Sequence, residues 1–423
     1  MVLGFSGALP NFAVGFLSII LLVAAAEIVV KKMEGVAKYY GISEVVIAMT
    51  IVSIGTSLPE LTIHLVASVQ ILLSTGVPMD IFGADILQLL IGSHVEVVQK
   101  MLEKGLISDL TFQSSQEMFL QKSGTVLGAS IGSDVVQETL VIGLVIISSA
   151  LMAGKKGFRF SRKFLIRDYA PMVGTTLITL VLALNWEGLV KIILGGSGTL
   201  SGTLTRLDGL ILVSSFVAYM LYLYSTRKES LATQGDVSKS KNPLRDLLIG
   251  LIAMGVVVGS ADVFLRVVEV AVKETGLSGS MIGVATVGVV SAFPEMITAI
   301  SGLRHGSEAI SLGTLVGSNI TNPLLAIGSG AMLSTYAVPE PLILWDLPME
   351  VVLAGLPVLY MFKRDALGNI LGKVANKIGL EETSERLKAS ENQVLSIAGA
   401  LILILLYFVY LYVRFTYFPQ DFT

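Results

Sequence analysis

Apolar residues in this chain fall in long runs, not in the alternation of a half-buried strand or the heptads of a coiled coil. Predominantly apolar stretches occur at 12–30, 45–73, 123–152, 168–186, 207–226, 246–270, 280–303, 308–335, 343–362 and 394–416. A helix needs about 20 such residues to cross a bilayer. The pattern therefore predicts an all-α membrane protein with ten transmembrane helices. Several runs exceed 25 residues and contain Gly or Pro, which predicts tilted or broken helices.

The polar segments between the runs give an orientation. With the N-terminus outside, the cytoplasmic segments are 31–44, 153–167, 227–245, 304–307 and 363–393, and they hold 21 of the 29 Lys and Arg residues. Cytoplasmic loops carry such an excess. The stretch "KKGFRFSRKFLIR" (155–167) has six basic residues and no acid, and it anchors the assignment. The chain is thus expected to be a multi-pass protein of the cell membrane with both termini on the outer side. No basic region precedes 12–30, so this run is expected to be a retained first helix.

Composition agrees. The chain is 53% hydrophobic and 14% charged, against about 25% charge in soluble domains, and its mean hydropathy is +0.78. The net charge of −3 and the lack of a basic-aromatic patch give no sign of nucleic acid as a partner. The chain has no cysteine, which excludes disulfides and thiolate metal sites.

The chain also repeats itself. At an offset of 235, "YYGISEVVIAMTIVSIGTSLPE" (39–60) overlies "ETGLSGSMIGVATVGVVSAFPE" (274–295), matching Gly41, Ser43, Ile47, Pro59 and Glu60 to Gly276, Ser278, Ile282, Pro294 and Glu295. The same offset sets Glu27 over Asp262. At an offset of 185, "LGASIGSDVVQETLVIG" (127–143) overlies "LGTLVGSNITNPLLAIG" (312–328). The offsets differ by 50, so the first half carries an insertion at about 70–120, expected on the outer side as one or two extra helices. Residues 1–226 form a first five-helix repeat, 227–245 a cytoplasmic linker, and 246–423 a second repeat. Five crossings per repeat make the second run opposite to the first, an inverted arrangement typical of secondary transporters.

The first block sets a carboxylate, Glu60, directly after Pro59, inside an apolar run. A charge at membrane depth is costly and points to function. Pro59 removes a backbone donor and frees carbonyls one turn earlier. Thr56 and Ser57 add hydroxyls, and Ser291, Pro294 and Glu295 repeat the design. Such an all-oxygen set suits a hard cation such as Ca²⁺ or Na⁺. In the second blocks, glycines four apart allow close helix approach. Ser133 with Gln137, and Ser318 with Asn322, lie one turn apart and can complete a cage.

"GTSLPEL" followed by a Gly-xxx-Gly-Ser-Asn/Asp block, with both then repeated, resembles the calcium/cation antiporter superfamily and within it the sodium/calcium exchangers. The resemblance covers nearly the whole chain apart from 70–120. It implies ten transmembrane helices, four central ion sites and first and sixth helices that slide across the core. It implies metal ligands at Thr56, Ser57, Glu60, Ser133, Gln137, Ser291, Glu295, Ser318 and Asn322. Several positions depart from the family pattern. Ala129 and Thr314 replace its usual Asn, Ala292 lacks a hydroxyl, and Asn322 stands where an Asp is common. Two carboxylates are left, which opens the questions of ion identity and stoichiometry.

Asp134 and Glu138 lie one turn apart beside the cage helix and are candidates for the missing charge, or for a water-filled vestibule. Glu27 and Asp262 are expected in first-helix packing or an ion access path, with Arg266 paired to Asp262. His64 is expected to be a satisfied packing histidine; Asp85 and His94 carry no motif. The function expected is export of Ca²⁺ in exchange for Na⁺ by alternating access. H⁺-coupled Ca²⁺ exchange or export of another divalent such as Mg²⁺ is the alternative, and a cation channel a distant one. No cofactor is expected, and the partners are inorganic cations and the lipid bilayer, with a monomer as the functional unit. An enzyme is not expected: Glu60, His64 and Glu295 lack the order of a zinc hydrolase motif, and no P-loop indicates a primary pump.

Overall fold

A computed structural model describes residues 8–40, 44–74, 109–153, 157–161, 164–226, 240–272, 278–359 and 392–421. The long helices are α1 (Ala8–Tyr40), α2 (44–74), α3 (109–153), α4 (Leu165–Ala183), α5 (Arg206–Thr226), α6 (Pro243–Val272), α7 (Gly279–Arg304), α8 (Glu308–Ser334), α9 (Leu342–Leu359) and α10 (Ile397–Tyr417). Among the described residues, seven of them (α3, α4, α5 and α7 to α10) are long and apolar enough to cross a membrane. The helix α2 makes an eighth if its arms, Val45–Thr56 and Leu58–Leu72, bent by 43°, form one span. The remaining two, α1 and α6, are 33 and 30 residues long and pack along each other. Of the expected insertion, 70–74 extends α2 and 109–120 extends α3; Asp85 and His94 lie outside the described residues.

Side-chain caps fix several helix starts. Ser278, Ser307 and Ser396 each accept a bond from the backbone N–H three residues on, satisfying donors that the first turn leaves open. Gly306, at a φ of +75°, makes the tight turn between α7 and α8.

Two short antiparallel strand pairs add to the helices: β1 (Gly157–Ser161) with β4 (Asn392–Ser396), and β2 (Gly202–Leu204) with β3 (Tyr336–Val338). They depart from a purely helical reading. Each joins two segments that leave a helix end, where pairing satisfies backbone groups the helix no longer uses.

The backbone irregularities recur at the offsets of the sequence repeat. Wider π-helical turns occupy Ala48–Val52 and Gly283–Val287, and again Gln137–Val141 and Asn322–Ile327. The helices α2 and α7 break at Ser57 and Ala292, each two residues before its proline. Such interruptions of the i→i−4 ladder concentrate at functional sites.

Packing crosses between the halves. The helix α3 lies against α7, and α8 against α2. Glycine permits both approaches. A Cβ on Gly132 would sit 2.6 Å from Val284 Cα, and one on Gly317 would sit 2.7 Å from Met49 Cα. The main apolar core runs through α3, α7, α8, α9 and α10. A second cluster joins Leu22, Val29 and Met33 of α1 to Met254 and Val257 of α6 over Ile47 and Val52 of α2. The α1–α6 pair thus rests on the broken helices through an apolar layer of its own.

Candidate cation site

The breaks in α2 and α7 meet where α2 packs on α8 and α7 packs on α3. Glu60 and Glu295 start the second arm of each broken helix and are buried, at 1% and 0% exposure. Ser133 Oγ donates to Glu60 Oε1 at 3.1 Å, and Gln137 Nε2 donates to Ser133 Oγ at 3.2 Å and to Ser318 Oγ at 3.4 Å. Ser318 Oγ donates to Glu295 Oε1 at 3.2 Å, and the hydroxyls of Ser57 and Ser318 are 2.8 Å apart. A longer contact of 3.5 Å links Ser57 Oγ to Glu295 Oε1. One continuous polar chain therefore runs from Glu60 to Glu295 through α2, α3, α8 and α7.

The hydroxyls cross between halves. Thr56 and Ser57 of the first block face Glu295, and Ser291 of the second faces Glu60. Thr56 Oγ1 also returns a bond to Ser53 O and Ser291 Oγ to Gly288 O, both at 3.2 Å, along the turns that lead into the breaks.

What the chain leaves open is all acceptor. Glu60 Oε2, Glu295 Oε2 and Gln137 Oε1 are buried without a hydrogen-bond partner. Buried acceptors without a donor are costly, by about 1–3 kcal/mol each and more for charged groups. A hard cation satisfies acceptor-only oxygens, and no proton donor is needed. Among the described residues no three acidic or imidazole side chains gather closely enough to hold one metal. The candidate site thus offers two carboxylates with neutral oxygens.

Every predicted site residue is buried in this region. Eight of the eleven gather in the Glu60–Glu295 assembly, and Asp134 lies within electrostatic range of both glutamates. Asn322 is reached through Asp134: its Nδ2 donates to Asp134 Oδ1 at 2.7 Å, and its Oδ1 stays unpartnered. Glu138 lies further out and accepts from Asn319 Nδ2 at 3.3 Å. His64 is satisfied at both ring nitrogens, by Tyr336 OH at 3.0 Å and Ser130 Oγ at 2.8 Å, as a packing histidine is. Glu27 lies away from the cage at the helix surface and pairs with Arg304 at 3.1 Å. The side chains of Asp262 and Arg266 lie outside the described residues.

Sequence reasoning missed buried polar groups on α9 and α10. Thr176 of α4 donates to Glu350 at 2.7 Å, and Asp346 pairs with Arg414 at 2.8 Å and accepts from Tyr410 at 2.7 Å. Asp346 and Glu350 sit four residues apart inside the apolar run 343–362. The rule that singles out Glu60, an acid at membrane depth, finds them too.

Known proteins resemble this chain in sequence and in fold. Residues 11–94, 106–225 and 246–416 match the family described as sodium/calcium exchanger protein. The sodium/calcium exchanger MaX1 of Methanosarcina acetivorans is 22% identical over 375 residues, covering 83% of this chain and 91% of that protein. The inner membrane protein YrbG of Escherichia coli is 22% identical over 326 residues, covering 75% and 78%. The fold is that of the solved sodium-calcium exchanger NCX_Mj, with a TM-score of 0.57 at 18% identity over 95% of this chain and 98% of that one. The chain is an integral, multi-pass membrane transporter of inorganic cations, not an enzyme, and it belongs to the sodium/calcium exchanger protein family.

Proposed function

We propose that the protein exports Ca²⁺ in exchange for Na⁺ by alternating access. Its cage comprises Thr56, Ser57, Glu60, Ser133, Gln137, Ser291, Glu295, Ser318 and Asn322, with Asp134 hydrogen-bonded to Asn322. The observation that carries the reading is the pair of glutamates, one per repeat. Each is tied by one oxygen and open at the other, at the break of a helix. With both ionised, one Ca²⁺ balances the cage, while three Na⁺ leave one positive charge, so exchange is electrogenic.

In this reading the chain crosses the membrane ten times as two inverted five-helix repeats, and the α1–α6 pair slides over the core. Contacts at helix ends support the alternation. Lys32 with Asp246, Ser240 with Gly35, Glu27 with Arg304, and β1 with β4 unite the segments assigned to the cytoplasm. The pairing of β2 with β3 and of Asp421 with Ser280 unites those assigned outside.

The test is Ca²⁺ flux into proteoliposomes with Na⁺, H⁺ or Mg²⁺ varied on each side. Ca²⁺ movement driven by an opposing Na⁺ gradient is expected. Flux that answers only to a pH gradient points to H⁺ coupling, and Ca²⁺ flux needing no counter-ion overturns antiport by this cage.

A further inference from the structure

Behind the cage, between α3, α4, α8 and α9, lies a second gathering of buried oxygens. Glu138 of α3 and Glu350 of α9 are 1% and 2% exposed and lie within electrostatic range of each other. Asn319 Nδ2 donates to Glu138 Oε1 at 3.3 Å, and Thr176 Oγ1 donates to Glu350 Oε1 at 2.7 Å. The second oxygen of each glutamate has no hydrogen-bond partner, nor has Asn319 Oδ1. Tyr169 of α4 supplies an independent sign. It is 1% exposed, its hydroxyl has no hydrogen-bond partner, and it lies within electrostatic range of Glu138.

Among the described residues, no Lys or Arg forms an ion pair with Glu138 or Glu350. Arg414 is engaged with Asp346 at 2.8 Å, and Arg167 with Asp168 at 3.4 Å. Buried carboxylates without a base are sustained by a bound cation or by neutralisation. The oxygens on offer are Glu138 Oε2, Glu350 Oε2, Asn319 Oδ1 and the Tyr169 hydroxyl, with Thr176 Oγ1 beside them. That is a hard, all-oxygen set, and it falls short of the about six to eight ligands Ca²⁺ takes, so it suits Na⁺.

We propose that Glu138, Glu350, Thr176, Tyr169 and Asn319 form a second cation site that takes Na⁺ and lies outside the cage that Ca²⁺ enters. Glu138 directly follows Gln137 and Asn319 directly follows Ser318, so an ion here holds both walls of the cage. The site goes beyond the exchange reading, since an exchanger of another divalent could carry it as well.

Equilibrium binding of radioactive Na⁺ to the purified full-length protein, with and without saturating Ca²⁺, tests it. The expected result is a Na⁺ fraction that Ca²⁺ does not displace, lost in Glu350→Gln. Tyr169→Phe raises the half-saturating Na⁺ of that fraction about fivefold, the loss of one ligand or hydrogen bond. Complete displacement by Ca²⁺ in the unmodified protein overturns the site, as does a resistant fraction that survives Glu350→Gln. If Glu350→Gln does not fold, unchanged Na⁺ binding in both Tyr169→Phe and Thr176→Val overturns it instead. Failure of the exchange reading has another signature: vesicles without Na⁺-driven Ca²⁺ flux, while the Ca²⁺-resistant Na⁺ fraction persists.

Discussion

Each cage glutamate holds one oxygen in the protein's hydrogen-bond chain and offers the other to an ion. Glu60→Gln and Glu295→Gln keep an acceptor for Ser133 or Ser318 but replace a charged ligand with a neutral one. Each is predicted to abolish divalent transport in proteoliposomes while the protein elutes as a single folded species. Transport at the unmodified rate in either removes the cage. The Asn322–Asp134 contact, at 2.7 Å, gives a second residue-scale test. Asn322→Asp removes the donor and sets two carboxylates against each other, at a cost of about 1–3 kcal/mol. Asp134→Asn in the same chain returns a donor and an acceptor to the pair. Melting in detergent is predicted to show the single variant destabilised and the double variant largely restored. Equal melting of the single variant and the unmodified protein means that the two side chains do not meet.

Helices in this core approach as closely as their glycines allow. A Cβ at Gly132 or Gly317 meets backbone atoms of α7 or α2, which cannot swing aside as the end of a side chain can. Gly132→Ala and Gly317→Ala are therefore predicted to lower the melting temperature, by about 1–3 kcal/mol of stability, and to reduce transport. Gly174 of α4 has nothing within 4 Å of its Cβ position, so Gly174→Ala is predicted to be neutral or slightly stabilising. If all three behave alike, the crossings are not held at glycine distance. The glycine spacing and both helix breaks were legible in the sequence because each occurs twice at a fixed offset. Other elements were less so. The helix α1 outruns its apolar stretch 12–30 to reach Tyr40, because buried Met33, Glu34 and Val36 continue one packed face after continuous hydropathy ends. The strand pairs were hidden because they depend on partners more than 100 residues apart in sequence. Which half each Gly-xxx-Gly face would meet was open as well, since spacing permits an approach without naming its partner.

At the scale of the molecule, the helix ends sort into two rims. Lys32, Asp246 and Arg304 belong to one, and Leu204, Tyr336, Ser280 and Asp421 to the other. The proposed topology of ten crossings requires this division, since segments joined by an even number of crossings must share a rim. The proposed orientation, with the first rim in the cytoplasm, rests on the count of basic residues, a signal that comes from insertion and is independent of packing. The absence of native cysteine makes the assignment directly measurable. Lys241 precedes α6 and Thr203 lies in β2, and both side chains are exposed. In cells, a membrane-impermeant thiol reagent is predicted to label Thr203→Cys without lysis and Lys241→Cys only after lysis. Labelling of both from one side means that the residues share a rim, which ends the inverted-repeat reading and the alternating access built on it. Labelling from opposite sides in the reverse sense keeps the repeat and turns the protein over in the membrane. The charge count, not the packing, is then the faulty step.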